Sequence, residues 1–222
     1  MNIYVFLGPP GVGKGSLSKL CVEKLGWQQL STGNLCRMHI ANQTDIGKKI
    51  DFIIKSGKLV PDDVITEMVS DWLIKNYDSN RTIILDGFPR TVIQAKAIDD
   101  LLKEKFPGSK INVVKLIIPE KTVISRLTSR LICGNSKCQA VYSTMTKALA
   151  PKDINVCDKC SCKLIKRQDD NEQSIKERLA VYNEHENELL KYYSKNQKIL
   201  DLNVEKNLDE VFEDFKKLIN LK

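Results

Sequence analysis

The sequence predicts an α/β fold in which helices flank a doubly wound parallel sheet built on a P-loop, the phosphate-binding loop between a strand and a helix. Three observations lead to this prediction. An apolar run at residues 3–7 precedes a glycine-rich loop and a helical pattern. Apolar runs then alternate with helical patterns through most of the chain. A cysteine-rich stretch at residues 131–167 breaks the alternation. Alternating strands and helices are typical of parallel sheets.

The glycine-rich loop, residues 8–16, reads Gly-Pro-Pro-Gly-Val-Gly-Lys-Gly-Ser. Backbone N–H groups can turn inward around an anion where no side chain obstructs them, which here means at Gly8, Gly11, Gly13 and Gly15. The next helix would add the partial positive charge of its N-terminus. Lys14 is expected to reach the β- and γ-phosphates of a nucleotide, and Ser16 to offer its hydroxyl to Mg²⁺. The alternative is a turn that binds nothing, but strand, lysine and helix occur together.

Hydrophobic spacing predicts the elements that follow the loop. A first helix stops at Gly26 and buries one face, formed by Leu17, Leu20, Cys21 and Leu25. A short strand at 27–30 leads to Ser31 or Thr32 as a helix cap. Two short helices are expected before Gly57, the second with apolar positions at Ile46, Ile50, Ile53 and Ile54. Pro61 suits the first turn of the next helix, whose apolar stripe is Val64, Ile65, Met68, Val69, Trp72 and Leu73.

A second motif, Asp86-Gly87-Phe88-Pro89-Arg90, follows an apolar run at 82–85. This run would deliver Asp86 to the carboxyl end of a strand, where α/β folds bind ligands. An acid there commonly supports Mg²⁺ in P-loop proteins, although an aspartate that only stabilises the turn is the alternative. A helix from Thr91 to about Lys105, a strand at 111–118 and a helix carrying Arg126 and Arg130 are expected next.

The interrupting stretch contains Cys133, Cys138, Cys157, Cys160 and Cys162. Spacings of Cys-x4-Cys and Cys-x2-Cys are typical of a zinc ribbon, in which four thiolates close a tetrahedral site. Free thiols on a loop are the alternative, and Cys162 could replace Cys160 as a ligand. Beyond this stretch we expect a long helix from residues 169–172 to about Tyr193, a strand at 198–202 and a final amphipathic helix.

Composition narrows the classes of function. The net charge of +7 could indicate a nucleic-acid partner, but only seven of the 35 basic residues are arginines, and the lysines are scattered among acids. We therefore expect no nucleic-acid partner. No apolar run is long enough to span a membrane, and no targeting segment is visible. We expect a cytoplasmic protein with no membrane partner.

Taken in order, these segments resemble the adenylate kinase family over essentially the whole chain. The matching pieces are residues 8–16, 31–37, 57–61 and 86–90, Gln94, Arg126, Arg130, the cysteine-bearing lid, residues 167–170 and Arg178. The resemblance implies Mg²⁺-dependent transfer of the γ-phosphoryl group of ATP to AMP, giving two ADP. It also implies a core of residues 1–30, 61–130 and 169–222, an NMP-binding insert at 31–60 and a zinc-stapled lid at 131–168. We expect a monomer.

The resemblance implies roles for the matching residues on both substrates. ATP would be bound by Gly11, Val12, Gly13, Lys14, Gly15, Ser16, Arg126 and Arg130, with Arg126 against the base. AMP would be bound by Thr32, Arg37, Lys58, Leu59, Val60, Gly87, Arg90, Gln94, Arg167 and Arg178. Within that second set, Arg37 and Arg90 would hold the phosphate. The adenine would be read by Thr32, Gln94 and the backbone around Leu59 and Val60.

The remaining implied roles concern catalysis and metals. The catalytic residues would be Lys14, Arg90, Arg130, Arg167 and Arg178. Ser16 and Asp86 would organise Mg²⁺ through water. Zinc would be held by Cys133, Cys138, Cys157 and Cys160. The arginines support this interpretation independently. Six of the seven, all except Arg81, fall at the positions matched to the family, in a chain that otherwise prefers lysine.

The sequence departs from the family pattern in three respects. Asn34 stands where the family usually has an aspartate, which predicts weaker organisation of Mg²⁺. Cys133 and Cys138 are farther apart than the usual Cys-x2-Cys. Leu202 stands where a glycine usually lies near the donor base, so a GTP:AMP phosphotransferase stays an alternative, as does a UMP/CMP kinase. A zinc-stapled nucleotide- or nucleic-acid-binding protein without catalysis is the alternative from another class.

Overall fold

The structure, a computed structural model, describes residues 1–135, 138–145, 149–195 and 198–221. The expected lid at 131–168 includes residues 136, 137 and 146–148, which lie outside the described residues. In chain order the elements are β1 (Asn2–Leu7), α1 (Lys14–Leu25), β2 (Gln28–Ser31), α2 (Thr32–Ala41), α3 (Asp45–Lys55), α4 (Asp62–Asn76), β3 (Thr82–Asp86), α5 (Val92–Lys105), β4 (Lys110–Ile117), α6 (Glu120–Thr128), β5 (Arg130–Cys133), β6 (Val141–Ser143), β7 (Leu164–Ile165), α7 (Glu172–Ser194), β8 (Leu200–Asn203) and α8 (Leu208–Leu218).

Five strands form one parallel sheet in the order β2-β3-β1-β4-β8. The central strand is β1, in which Val5 lies opposite Leu85 of β3 and Val113 of β4. All three side chains are fully buried. Strands covered on both faces read as continuous apolar runs because neither face meets water. The predicted doubly wound α/β fold is confirmed.

Two hydrophobic layers cover the sheet. On one face, residues of α4, α5 and α7 form a cluster with the sheet that includes Val69, Ile98 and Tyr193. On the other face, α1 and α8 bury Leu17 and Phe215 against it. Helix α1 ends at Gly26, whose φ of 67° is the left-handed conformation typical of a helix C-terminus. The helix stop predicted from this glycine is confirmed.

Two smaller units project from the sheet. Helices α2 and α3 form the insert between β2 and α4, as the hydrophobic spacing predicts. Strands β5, β6 and β7 form a separate antiparallel sheet in the order β6-β5-β7, in the cysteine-bearing stretch. Among the described residues, no helix is both long and apolar enough to cross a membrane.

Two local predictions are wrong in detail, and a third, the cap of α2, is confirmed in position only. Arg130 does not belong to the helix that carries Arg126, because α6 ends at Thr128 and Arg130 starts β5, opposite Ser143. Pro61 stands immediately before α4 rather than in its first turn. Ser31 occupies the cap position of α2, but its side chain makes no capping hydrogen bond. The hydroxyl of Thr32 donates instead to the carbonyl oxygen of Gly87, 2.9 Å away.

Candidate active site

Two adjoining clefts open beside the P-loop and the end of β3. The larger, about 960 Å³, is lined by Asp86 and all the positions expected to bind ATP, which are Gly11, Val12, Gly13, Lys14, Gly15, Ser16, Arg126 and Arg130. The smaller, about 80 Å³, is lined by all the positions expected to bind AMP, which are Thr32, Arg37, Lys58, Leu59, Val60, Gly87, Arg90, Gln94, Arg167 and Arg178. The walls overlap at Arg37, Arg90, Arg167 and Arg178. The fold thus brings the two sets of residues together.

The P-loop joins β1 to α1 through three glycines in conformations that side chains rarely adopt. Gly8, Gly11 and Gly13 have φ values of 139°, 84° and 112°. Gly15, expected to serve the same purpose, lies inside the first turn of α1 and does not have a positive φ. A Cβ added to it would lie 3.2 Å from a carboxylate oxygen of Asp86. Its small size therefore lets the carboxylate approach the helix, and the expectation of a fourth turning glycine is wrong.

Lys14, the first residue of α1, points its ammonium back into the loop. Its Nζ donates to the carbonyl oxygens of Gly8, at 2.6 Å, and Pro9, at 3.0 Å. Burial, aided by the charges of Arg90, Arg178 and Arg130 and opposed by that of Asp86, lowers the pKa of Lys14 to about 7. Burial disfavours the charged form of Lys14, so a bound polyanion would stabilise that form strongly.

Asp86 ends β3 at the floor of the larger cleft, as the sequence predicts. Its side chain is buried, and one carboxylate oxygen accepts a hydrogen bond of 3.0 Å from the amide of Gln29 on β2. Gln29 lies next to Asp86 because β2 pairs with β3. This contact depends on strand order, and no local signal in the sequence indicates it.

Three arginines are held by two neighbouring acids, Asp169 and Asp170. Arg130 forms a two-pronged pair with Asp170, at 2.8 and 2.5 Å, and Arg178 donates to the same carboxylate at 3.0 Å. Arg167 pairs in the same way with Asp169, which also lies 3.3 Å from Arg178. Each of these side chains is at least 86% buried. The acids orient the guanidinium groups, because a bidentate arginine–carboxylate pair fixes the geometry of both groups as well as neutralising charge.

Burial and mutual repulsion act on the ionisation of this cluster. Burial lowers the pKa of Arg37 to about 9 and that of Arg178 to about 10, and Arg167 contributes to both. Burial alone would raise the pKa of Asp169, but Arg167, Arg178 and Arg37 hold it well below its ordinary range. The acid therefore stays charged while the cations repel one another. Such an excess of buried positive charge favours binding of phosphate groups.

The smaller cleft is formed between α2, α4 and the start of α5. Gln94 lies on its wall and is almost fully buried. Its side-chain oxygen accepts from the backbone N–H of Arg90 at 2.7 Å, and its side-chain nitrogen donates to Asp62 at 2.7 Å. Arg37, on α2, donates to the side-chain oxygen of Asn34 one turn earlier. Asn34, which stands where the family usually has an aspartate, thus contacts Arg37 of the site.

Arg126 connects the loop to the segment after β8. It donates to the carbonyl oxygen of Val12 at 2.9 Å and to that of Val204 at 3.0 Å. Val204 lines the larger cleft, whereas Leu202 is buried in the core. Within this segment it is therefore Val204, and not Leu202, that borders the larger cleft.

Four cysteine sulfurs gather in the antiparallel unit. Those of Cys133, Cys138, Cys157 and Cys160 all lie within 4.8 Å of one another. Cys162 is outside this group, and its sulfur accepts from the side chain of Asn135 at 3.8 Å. The choice between Cys160 and Cys162 left open by the spacing is thus resolved in favour of Cys160 as the member of the cluster.

The cysteine-bearing unit covers the larger cleft and contacts both other parts of the chain. Lys19 on α1 donates to the backbone oxygen of Gln139 at 2.8 Å, and Lys159 pairs with Glu23 of the same helix at 2.7 Å. Arg37, on the other insert, donates to the side-chain oxygen of Gln139 at 3.4 Å. Bound molecules beneath this cover would be shielded from bulk water.

Comparison with known proteins gives a consistent result. The family model described as adenylate kinase matches residues 6–198. The chain is 40% identical to the adenylate kinase of Archaeoglobus fulgidus, over 99% of this chain and 98% of that protein. It is 40% identical to the adenylate kinase of Clostridium tetani over the same shares, and 40% identical to that of Kosmotoga olearia over 100% of both chains.

Proposed function

The chain belongs to the adenylate kinase family and converts ATP and AMP into two ADP, and we propose that it does so in the two adjoining clefts described above. The observation that carries the proposal is the convergence of six cationic side chains on those clefts: Lys14, Arg37, Arg90, Arg130, Arg167 and Arg178. Transfer between two polyanions needs alignment and charge neutralisation more than covalent help, which suits such a set.

On the donor side, the N–H groups of residues 11–16 and the ammonium of Lys14 hold the phosphates of ATP. The loop glycines support this role, because their conformations turn the backbone around the cleft. Arg126 lies beside the base, anchored between the loop and Val204. Arg130, Arg167 and Arg178 stabilise the charge on the phosphoryl group as it moves.

On the acceptor side, Arg37 and Arg90 hold the phosphate of AMP. Gln94, Thr32 and the backbone at Lys58, Leu59 and Val60 surround the adenine. The almost complete burial of Gln94 and Thr32 supports this role, since a site that pairs buried polar groups with a substrate strongly rejects an analogue that leaves them unpaired.

Mg²⁺ fits the floor of the larger cleft. Asp86 supplies a buried carboxylate, and the absence of a side chain at Gly15 leaves room for that carboxylate. Ser16 lines the same cleft. Oxygen ligands and retained waters are what Mg²⁺ prefers. When bound, the ion would neutralise charge between the β- and γ-phosphates. Asp86 itself is oriented by Gln29.

Zinc fits the cysteine cluster. Four Zn–S bonds of about 2.3 Å in a tetrahedron place the sulfurs about 3.8 Å apart. Two of the separations are 3.3 Å, between Cys133 and Cys160, and 3.7 Å, between Cys138 and Cys157, and all of them are within 4.8 Å. A bound zinc would cross-link the lid, which otherwise buries only a small core. Intact thiolates suit a reducing compartment, which supports a cytoplasmic location.

The two inserts, at residues 31–60 and 131–168, close over AMP and ATP respectively, against the core of residues 1–30, 61–130 and 169–222. Closure excludes water that would otherwise accept the phosphoryl group. The contacts of Gln139 with Lys19 and Arg37 support such a closed form. One chain supplies the residues of both clefts, which agrees with a monomer, and light scattering at assay concentrations would detect any larger species.

A panel of substrates tests the assignment. Purified protein with Mg²⁺ should form ADP from ATP and AMP much faster than it phosphorylates UMP, CMP or GMP. Lys14→Met should reduce kcat while the protein keeps its melting temperature. Faster reaction with GTP as donor, or an active Lys14→Met protein, would overturn the proposed residue roles.

A further inference from the structure

Asp62 forms a small polar network at the back of the acceptor cleft. It is the first residue of α4, and its carboxylate accepts from two donors, one on α5 and one at the cap of α5. Gln94 donates at 2.7 Å, and the hydroxyl of Thr91 lies 3.1 Å from both carboxylate oxygens. Thr91 and Gln94 are both buried. Asp62 therefore acts on the cleft through Gln94, whose side chain lines it.

The network fixes which way the Gln94 amide faces. An ionised carboxylate only accepts hydrogen bonds, so Asp62 can pair with the nitrogen of the amide and not with its oxygen. The backbone N–H of Arg90 only donates, and it takes the oxygen, at 2.7 Å. A reversed amide would place oxygen against carboxylate and N–H against N–H. Both neighbours therefore select the same orientation.

The fixed amide retains one donor and one acceptor for a ligand. A glutamine amide has two N–H groups and an oxygen with two acceptor positions, of which Asp62 and Arg90 use one each. Adenine presents an acceptor at N1 beside a donor at N6, and guanine and uracil present the reverse pattern. A Gln94 amide with a fixed orientation can match the donor and acceptor pattern of adenine. The same amide then opposes the reversed pattern of guanine and uracil.

We propose that Asp62 is a positioning residue that holds Gln94 in the orientation that favours AMP over GMP and UMP. This rests on the proposed function, in which Gln94 contacts the base. Asp62 also lies in the first turn of a helix, where any acid is favourable. Asp63 lies in that same turn and is exposed, so it provides a matched control.

The test is steady-state kinetics at saturating ATP and Mg²⁺, with AMP or GMP varied. Asp62→Asn should raise KM for AMP about 10-fold, the value of one charge-assisted hydrogen bond, and leave kcat within about twofold. The preference for AMP over GMP, measured as the ratio of their kcat/KM values, should decrease in the same variant. Asp63→Asn should match the unsubstituted protein. In a Gln94→Ala background, Asp62→Asn should have no additional effect on KM.

Two outcomes would overturn the proposal and leave the proposed function intact. One is an Asp62→Asn protein with the kinetics of Asp63→Asn. The other is an effect of Asp62→Asn that persists in full in the Gln94→Ala background, since Asp62 would then act independently of the amide. Failure of the proposed function is recognised separately: Gln94→Ala alone would then keep the KM and selectivity of the unsubstituted protein.

A reciprocal pair keeps the proposal testable if Asp62→Asn folds poorly. Gln94→Glu places a second carboxylate against Asp62 and should lower the melting temperature. Adding Asp62→Asn should recover part of that loss, because the new amide can donate to the glutamate. A double variant no more stable than Gln94→Glu alone would contradict the contact on which the proposal depends.

Discussion

Removal of the negative charge of Asp170 should weaken the fold and the reaction together. The carboxylate accepts two hydrogen bonds from Arg130 and one from Arg178, and its side chain is only 3% exposed. Asp170→Asn keeps the shape but removes the acid that pairs with the buried guanidinium of Arg130, and it leaves Arg178 with Asp169 as its counter-ion. Loss of one partner of a buried pair costs about 3–5 kcal/mol. We take the lower value, about 3 kcal/mol, because asparagine still accepts one hydrogen bond.

In a chain of this size, that loss lowers the melting temperature by about 9 °C, at about 3 °C for each kcal/mol. The same change releases Arg130 and removes one of the two acids that hold Arg178, and we propose that both arginines face the transferring group. We expect kcat to fall at least about 100-fold, the usual effect of losing one aligned electrostatic group. Thermal unfolding measures the first quantity, and initial rates of ADP formation measure the second.

The matched control is Asp78→Asn, which breaks an exposed aspartate–arginine pair. Asp78 lies 3.0 Å from Arg81, and both side chains are at least 41% exposed. Exposed pairs contribute less than about 1 kcal/mol, so this variant should stay close to the unsubstituted protein in both assays. The reasoning is refuted if Asp170→Asn melts and reacts like Asp78→Asn.

Three further predictions follow from the site. Cys157→Ser should lose bound zinc and lower the melting temperature, whereas Cys162→Ser should retain both; metal analysis with equal zinc in the two proteins would exclude the proposed ligand set. Binding of ATP at about pH 8.5 should take up close to one proton, because Lys14, with a pKa of about 7, is mostly neutral there and bound phosphates return the pKa toward 10.5. Calorimetry in buffers of different ionisation enthalpy measures this uptake, and an equal uptake by Lys14→Met would contradict it. Asn34→Asp should lower the Mg²⁺ concentration needed for half-maximal rate, since the added charge lies beside the cleft; an unchanged kcat and Mg²⁺ dependence would eliminate the idea.

The sequence predicts the parallel sheet, the P-loop and the cysteine cluster because each depends on neighbours close in the chain. The arginines of the clefts were identifiable for a chemical reason, since the chain uses lysine for most of its basic residues. The acids that orient these arginines were not identifiable from the sequence. Asp169 and Asp170 belong to the matching segment 167–170, but they precede a helix, where acids are favourable in any case, so no local signal indicated that they pair with the arginines.

The errors arise where the structure depends on distant segments. Arg130 continues a helical pattern, but its segment pairs with residues 141–143 across the cysteine-bearing turn. Gly15 resembles the other loop glycines in sequence, and only the approach of Asp86 from another strand explains it. Apart from these errors, Val204 rather than Leu202 borders the cleft because the end of β8 sets which residue leaves the sheet.

The central claim is that these clefts transfer the γ-phosphoryl group of ATP directly to AMP. The most direct measurement is a single-turnover reaction of the protein with AMP, Mg²⁺ and ATP that carries a radioactive γ-phosphate. Because the transfer is reversible, part of the label stays in ATP, and all the label that leaves ATP should appear in ADP and none as inorganic phosphate, since the closed site excludes water. Label released as inorganic phosphate at a rate that does not depend on AMP would contradict the claim.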